Sequence, residues 1–207
     1  MSFRKCASTL ALYCLLSVPA HAVPSLFQWG FNIDGTVSTN QLSSGSFDYT
    51  TGLGTINIAI NGAGNHYAGS FFDHDINPNT TESGNVSGTP GAGQSWELDD
   101  IGGDIFANFN AGALDNSNGI LQPYDASMAM AWDFALAANQ QALISFLVSY
   151  EQPIGFYLTQ FDVRTNEQLF FSSALNIRGV NSVPEPGTVL LIGAGLAGLL
   201  RMQQRKR

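Results

Sequence analysis

Residues Ser127–Ala138 read SMAMAWDFALAA. Met128, Met130, Trp132, Phe134 and Leu136 alternate with Ala129, Ala131, Asp133 and Ala135. A period of two puts the large side chains on one face of a strand, whereas a helix would scatter Trp132, Phe134 and Leu136 around its circumference. Ala and Met are good helix formers, but the periodicity decides for a strand. Ala138-Asn139-Gln140 follows as a turn. Ala142, Ile144, Phe146 and Val148 then alternate with Leu143, Ser145, Leu147 and Ser149. The two stretches are expected to form a hairpin at the centre of a sheet, with the second strand buried on both faces.

Outward from this pair, the same pattern predicts strands at Leu26–Ile33, Gly45–Thr50, Thr55–Ile60, His66–Phe72, Gln94–Leu98, Ile105–Phe109, Ile154–Phe161 and Leu169–Ile177. Asp34-Gly35, Asn61-Gly62, Gly102-Gly103 and Asn118-Gly119 punctuate them as turns. Asn77–Gly93 is polar and rich in Gly and Pro and reads as a long loop; no amphipathic helix is expected between residues 23 and 182. About ten short strands at this spacing point to an all-β fold, an antiparallel β-sandwich of jelly-roll or immunoglobulin-like type.

Composition narrows the function. The chain has 207 residues, 44% of them hydrophobic and 12% charged, with a net charge of −8. That charge argues against nucleic-acid binding, which requires basic surface. Residues 23–182 carry only Arg164 and Arg178 against fifteen acidic side chains, a formal charge of −13, and no Lys. Schiff-base and Ser-Lys chemistry are thereby excluded from this body.

Both ends read as processing segments. Arg4 and Lys5 precede an apolar run from Cys6 to Val18, and Ala20-His21-Ala22 offers a small-x-small cleavage site, so residues 1–22 are expected to be a signal peptide cut after Ala22. Both cysteines, Cys6 and Cys14, lie inside it, leaving the mature chain without disulfides or thiolate ligands. At the other end, 183–207 has three parts. Val183-Pro184-Glu185-Pro186-Gly187 is stiff and extended. Thr188–Leu200 is uncharged and apolar, and its thirteen residues would rise ~20 Å as a helix, short of the roughly 30 Å hydrocarbon core. Arg201, Arg205, Lys206 and Arg207 form a basic tail on the expected cytoplasmic side.

Pro184-Glu185-Pro186, a short apolar helix and an Arg-rich terminus, in that order, resemble the PEP-CTERM sorting signal. The resemblance implies an exosortase, a membrane-embedded cysteine protease or transpeptidase, as partner. It also implies a Gram-negative host, typically one making exopolysaccharide, and an inner-membrane-anchored precursor later released to the cell surface or extracellular matrix. The body phrases His66-Tyr67-Ala68-Gly69, Phe72–Ile76, Ser95–Asp99, Gly103–Phe106 and Ser127–Ala138 also resemble PEP-CTERM proteins of unassigned function, which adds a location and no chemistry.

Candidate chemistry in the body is sparse. Asp73, Asp75, Asn77 and Asn79 open like a Ca²⁺ loop, but Pro78 stands where Gly is needed and Gly84 where a bidentate Glu is needed, so only an irregular Ca²⁺ site on Asp73, Asp75 and Asn77 is expected. His66 and His74 would share one strand face and suggest, more weakly, a transition-metal site. Glu97, Asp99, Asp100 and Asp104 form a second acidic group, and repulsion within it calls for solvent or a cation. A glycosidase would need two carboxylates across a cleft. Gly93-Gln94-Ser95-Trp96-Glu97 fails the nucleophile-elbow pattern at its last position. Trp29, Trp96, Tyr67 and Tyr124 could stack on sugars or simply fill the core. The resulting expectation is a non-enzymatic surface or matrix protein requiring no cofactor. A carbohydrate-binding module, assisted by Ca²⁺ or not, is the alternative, and a secreted hydrolase the weaker one.

Overall fold

Ten strands and one short helix are found among the described residues of the computed structural model, which are 23–76, 81–100, 102–120 and 123–180. In chain order they are β1 (Ser25–Ile33), β2 (Thr36–Ser38), β3 (Gly54–Asn61), β4 (Gly64–Asp75), β5 (Glu82–Ser87), β6 (Gln94–Asp100), α1 (Ile105–Ala111), β7 (Ala126–Leu136), β8 (Gln140–Ser149), β9 (Tyr157–Asp162) and β10 (Gln168–Gly179). They form two five-stranded antiparallel sheets packed as a sandwich, ordered β2-β1-β4-β7-β6 and β3-β8-β10-β9-β5. The all-β sandwich expected from the sequence is therefore present. The expected signal peptide at 1–22, its expected Ala20–Ala22 site, Asn77 and the whole of 183–207 lie outside the described residues.

The central pair is not a hairpin. β7 pairs with β4 and β6, while β8 pairs with β3 and β10, so consecutive strands belong to opposite sheets. The turn between them is tight: Gln140 N donates to Ala137 O at 3.0 Å, and Ala137 N donates to Gln140 Oε1 at 2.8 Å. Period-2 alternation records which face is buried, not which strand lies alongside. Met128, Met130 and Trp132 meet Ile144, Phe146 and Val148 across the sandwich interior, in the main apolar cluster.

The strand buried on both faces is β7, not β8. Outward residues of β8 alternate into partial exposure, whereas Ala126–Trp132 are all buried. A second apolar layer explains the difference. Phe71, Ala129 and Ala131 on the outer face of the first sheet pack against Ile105, Phe109 and Leu114. Ile105–Phe109, expected as a strand, is the start of α1: Ile105 and Phe109 stand four apart and both bury on one helical face. Gly112 ends the helix in the left-handed region (φ 68°), donating its N–H to the last carbonyls. Asn32 of β1, itself fully buried, donates Nδ2 to Phe109 O at 2.7 Å and to Asn110 O at 3.2 Å, tying the helix end to the sheet.

Two smaller expectations also change. The Asn77–Gly93 loop contains edge strand β5, hidden in the sequence because its inward positions are Glu82, Gly84 and Val86 rather than a run of large apolar residues. A Cβ on Gly84 would lie 2.9 Å from Ile120 Cδ1 and 3.0 Å from Leu98 Cδ2, so glycine is what lets β5 approach the other sheet. Gly45–Thr50 makes single bridges at Gly45 and Asp48 instead of a strand.

The α1 layer gives a direct test. Phe109→Ala should lower the unfolding free energy by about 3–5 kcal/mol, read by urea titration. Phe106→Ala, at a position 41% exposed, should cost well under half as much. Equal losses would mean that α1 is not packed as described.

Candidate functional site

His66 and His74 point to the same face of β4 but lie at its two ends, eight residues apart, or ~26 Å along a strand, so they cannot share a metal. His66 hydrogen-bonds Asp34 (Nδ1 to Oδ2, 2.9 Å), which raises its pKa above the ordinary value. His74 is fully buried, with Nε2 against Gly52 O at 3.1 Å, and burial holds its pKa down at about 4.

His74 borders a buried polar knot that joins the sheets. Glu82, with no solvent exposure, accepts from Ile76 N at 2.7 Å, from Ala126 N at 3.4 Å and from Gln160 Nε2, which also donates to His74 O at 2.6 Å. Burial pushes the Glu82 carboxyl up to about 7 despite these donors. Asp73 stands on the opposite face of β4 from His74 and is only 8% exposed. Burial, reinforced by Asp125 and Asp75, likewise raises it to about 7. Asp75 is half-buried beside it, and Asn77, the third expected ligand, is outside the described residues.

The second acidic group is rearranged. Asp99, near the end of β6, holds the following turn: its two carboxylate oxygens accept from Asp100 N (2.9 Å) and Asp104 N (2.8 Å). Asp100 accepts from Gly102 N at 2.9 Å. Glu97 and Asp104 are instead joined by Asp115, and ligand atoms from the three lie within 4.8 Å of one another. These are the residues that could hold a divalent cation. Glu97 is fully buried, however, and Asn108 Nδ2 bonds both its oxygens, at 3.1 and 3.2 Å. Burial raises this carboxyl to about 7. Asp115 escaped the sequence reading because the link depends on α1 reversing the chain over the sheet.

The aromatic side chains read as possible sugar platforms are mostly internal. Trp29 packs on Tyr49 (5.3 Å between centroids) and Trp96 on Phe156 (6.1 Å). Tyr67 joins the α1 cluster, and only Tyr124 is exposed. A different set is presented on the outer face of the second sheet. Asn85 and Ser87 of β5, Tyr157, Thr159 and Phe161 of β9, and Gln168 and Phe170 of β10 line an open groove of about 320 Å³, together with Gln152 and Asn166. Phe170 forms the floor, edge-on to Tyr157 at 5.6 Å, and Gln152 Nε2 donates to the Tyr157 hydroxyl at 2.5 Å. No charged side chain lines it, in a body of charge −13. The alternation Tyr157-x-Thr159-x-Phe161 was the available signal, but it reads equally well as an inward face.

The raised carboxyls give the body a pH dependence. Glu82, Asp73 and Glu97 hold protons more tightly folded, near 7, than at their ordinary values of 4.5, 3.8 and 4.5. Their stabilising contribution is full below those lower values and is lost as pH rises through 7. His74 acts oppositely: it favours the folded state above its ordinary 6.5 and loses that contribution as pH falls toward 4. The melting temperature should therefore rise on acidification from pH ~8 to ~7, where the carboxyls take up protons and little of the His74 contribution has been lost. Asp73→Asn should flatten that slope; a melting temperature that falls over this interval would contradict the assignment.

Among the described residues no helix is long and apolar enough to cross a membrane. No curated protein and no solved structure matches the chain. Residues 182–206 match the PEP-CTERM protein-sorting motif, and the match begins two residues beyond Val180, the last described residue. The chain thus carries a PEP-CTERM sorting motif at its C-terminus, which implies an exported protein sorted and processed by an exosortase at the membrane.

Proposed function

We propose that the chain is a non-enzymatic protein of the cell surface or exopolysaccharide matrix, delivered there by its C-terminal signal. The observation that carries this reading is the join between body and signal. β10 ends at Gly179, and Pro184-Glu185-Pro186 follows after four intervening residues. The signal is thus attached to a finished domain with little slack. Glu185 disfavours hydrocarbon and marks where Thr188–Leu200 would enter it. Arg201, Arg205, Lys206 and Arg207 hold the other side by the positive-inside preference. In this reading the protein's chemistry is that of a substrate, cut near Pro184-Glu185-Pro186.

The groove over β5, β9 and β10 favours a carbohydrate as what the released body touches. Amides and hydroxyls around an aromatic floor suit hydroxyl-rich, uncharged rings. The acidic body repels anionic polymers, so a neutral polysaccharide fits better than an acidic one. A role for Ca²⁺ would rest on Asp73 and Asp75, or on Glu97, Asp104 and Asp115.

Two measurements test these readings. Glu185→Ala should leave the protein at precursor size in the membrane fraction on immunoblotting of the host; an unchanged processed band would remove the sorting role of that residue. Tyr157→Ala should reduce retention of the processed protein on the host's exopolysaccharide at least tenfold with an unchanged melting temperature. Undiminished retention would leave the groove without this function, and loss of wild-type retention in chelator would assign it to a cation instead.

A further inference from the structure

We propose that the released body pairs with a second copy of itself along the open edge of β10, and that two membrane-held precursors standing with β10 along the bilayer normal cannot. The second half rests on the membrane-anchored precursor described above; the first half does not.

An unpaired strand edge is a template for another strand, and native sheets cover or shorten their edges. This body does so at its other borders. β2 has three residues. Ser44–Ser46 cover the first half of β3, through Ser46 N to Thr55 O (2.9 Å) and Asn57 N to Ser44 O (3.0 Å), which leaves at most four residues, Ile58–Asn61, against the eight of Ser172–Gly179. Asn116–Gly119 cover β6, through Asn116 N to Trp96 O, Leu98 N to Ser117 O and Gly119 N to Leu98 O. β5 is met by Tyr124 and by Asn118 Nδ2 on Gly84 O. β10 differs. It pairs with β8 over Phe170–Gly179, but with β9 only over Gln168–Phe171. Among the described residues nothing pairs with the second side of Ser172–Gly179. Beside its first three residues lies a pocket of about 410 Å³ that Phe156 and the fully exposed Ile154 also line, together with Thr89, Gly91 and Gln94, whose Nε2 donates to Ser173 Oγ at 3.0 Å, so the most open part of the edge is Leu175–Gly179.

The occupant follows from charge and register. Ser172–Gly179 carries no acidic side chain and a single charge, Arg178, in a body of charge −13. It is therefore a stretch along which two copies repel least. A self-pairing must also keep the inward faces of both copies on one side, because a one-residue slip exchanges the faces of a strand. A two-fold axis through Asn176, perpendicular to the sheet, satisfies this. It sets Leu175 against Ile177 of the second copy, Ala174 against its Arg178, and Ser173 against its Gly179. Leu175 already packs on the core, and Ile177 on the same face is 38% exposed. Pairing would cover it, and no like charges face one another.

The same symmetry separates precursor from product. In an antiparallel pair the two chains leave β10 in opposite directions. If one copy stands with Gly179 toward the bilayer, the other is inverted. Its Gln168 would then lie about five residues, ~17 Å, beyond that Gly179, and its own Gly179 ~20 Å on the far side. Its tail would have to descend more than ~35 Å beside its own body, whereas the eight residues 180–187 reach at most ~29 Å. Two precursors that both stand with β10 along the bilayer normal therefore cannot be anchored and paired together, so in that stance cleavage licenses the assembly.

Asn176 faces its own copy across the axis, and the body has no cysteine, so Asn176→Cys is a direct probe. Processed protein recovered from the host should have twice the body mass by light scattering, and Asn176→Cys should oxidise to a covalent dimer. Ala59→Cys, on exposed β3 surface, should form no covalent dimer, and Ile177→Lys should abolish the dimer with an unchanged melting temperature. Monomeric wild-type protein, with Asn176→Cys crosslinking no faster than Ala59→Cys, would overturn the pairing. In membranes, Asn176→Cys combined with Glu185→Ala should not crosslink. Crosslinking there would overturn the release requirement alone, and processing of that double variant would count against the sorting role of Glu185 while leaving the pairing standing.

Discussion

The contact on which this architecture depends is Phe109 of α1 against a floor of very small residues. A Cβ on Gly30 would stand 2.9 Å from the Phe109 ring, and Ala129 and Ala131 complete the floor. Larger residues there would lift the helix off the sheet, and overpacking a filled core costs about 1–3 kcal/mol. The small face of β7 is thus a seat for a third layer, not a solvent face. That seat also explains why a seven-residue helix, too short to persist alone, is held in place. Asn32 binds its last carbonyls and Asn108 binds Glu97 below it. Because the layer covers the outer face of the first sheet, the main contiguous surfaces left for recognition are the second sheet and the ends of the sandwich.

What the sequence disclosed follows from the same distinction between face and neighbour. The alternation of Met128–Leu136 and Ala142–Val148 reports burial on one side, and both strands were legible from it. Their placement in different sheets was not, since inward-facing partners across a sandwich and cross-strand partners within a sheet leave the same periodic trace. Ile105–Phe109 was misread because two apolar residues four apart satisfy an even spacing and a helical turn alike. The boundary signals, Gly103-Asp104 before and Gly112 after, were the better evidence. β5 was missed for the opposite reason: its inward positions are Glu82 and Gly84, so burial there is polar and backbone-driven. At the candidate sites, the pairing of Glu97 with Asp104 was legible as an acidic group. The entry of Asp115, and the use of Asp99 to hold a turn, depend on three-dimensional chain reversal. The sorting motif, being a linear signal read by another protein, was legible in full.

Strand directions give the body a polarity. β4, β6 and β9 finish, and β5 and β7 begin, at one end, which gathers Asp73, Asp75, Glu82, Asp99, Asp100, Asp125 and Asp162. β10 finishes at the other end, beside the Ala137–Gln140 turn, where Val180 N bonds Asn139 O at 2.7 Å. The acidic side chains toward that end are Asp34, hydrogen-bonded to His66, and Asp133, opposite Tyr67 in the β4–β7 pairing. The end from which the sorting signal leaves is therefore the less acidic one. For a chain tethered there to an anionic bilayer surface, this distribution lowers repulsion where the body comes nearest to the lipid.

Burying carboxyls at the far end carries a cost that a cysteine-free body must offset by packing. Glu82 is desolvated without a cationic partner, since the two arginines of the body, Arg164 and Arg178, make no ion pair with it. Its donors are three: two backbone amides, from the exit of β4 and the entry of β7, and the Gln160 side chain on β9. A leucine at this position would leave those amides unsatisfied, at roughly 1–3 kcal/mol each. The carboxyl is thus the acceptor that lets β4, β5, β7 and β9 converge at one point. A protonated Glu82 retains most of that accepting capacity without a full buried charge, so the shifted pKa and the strand convergence are consequences of the same geometry.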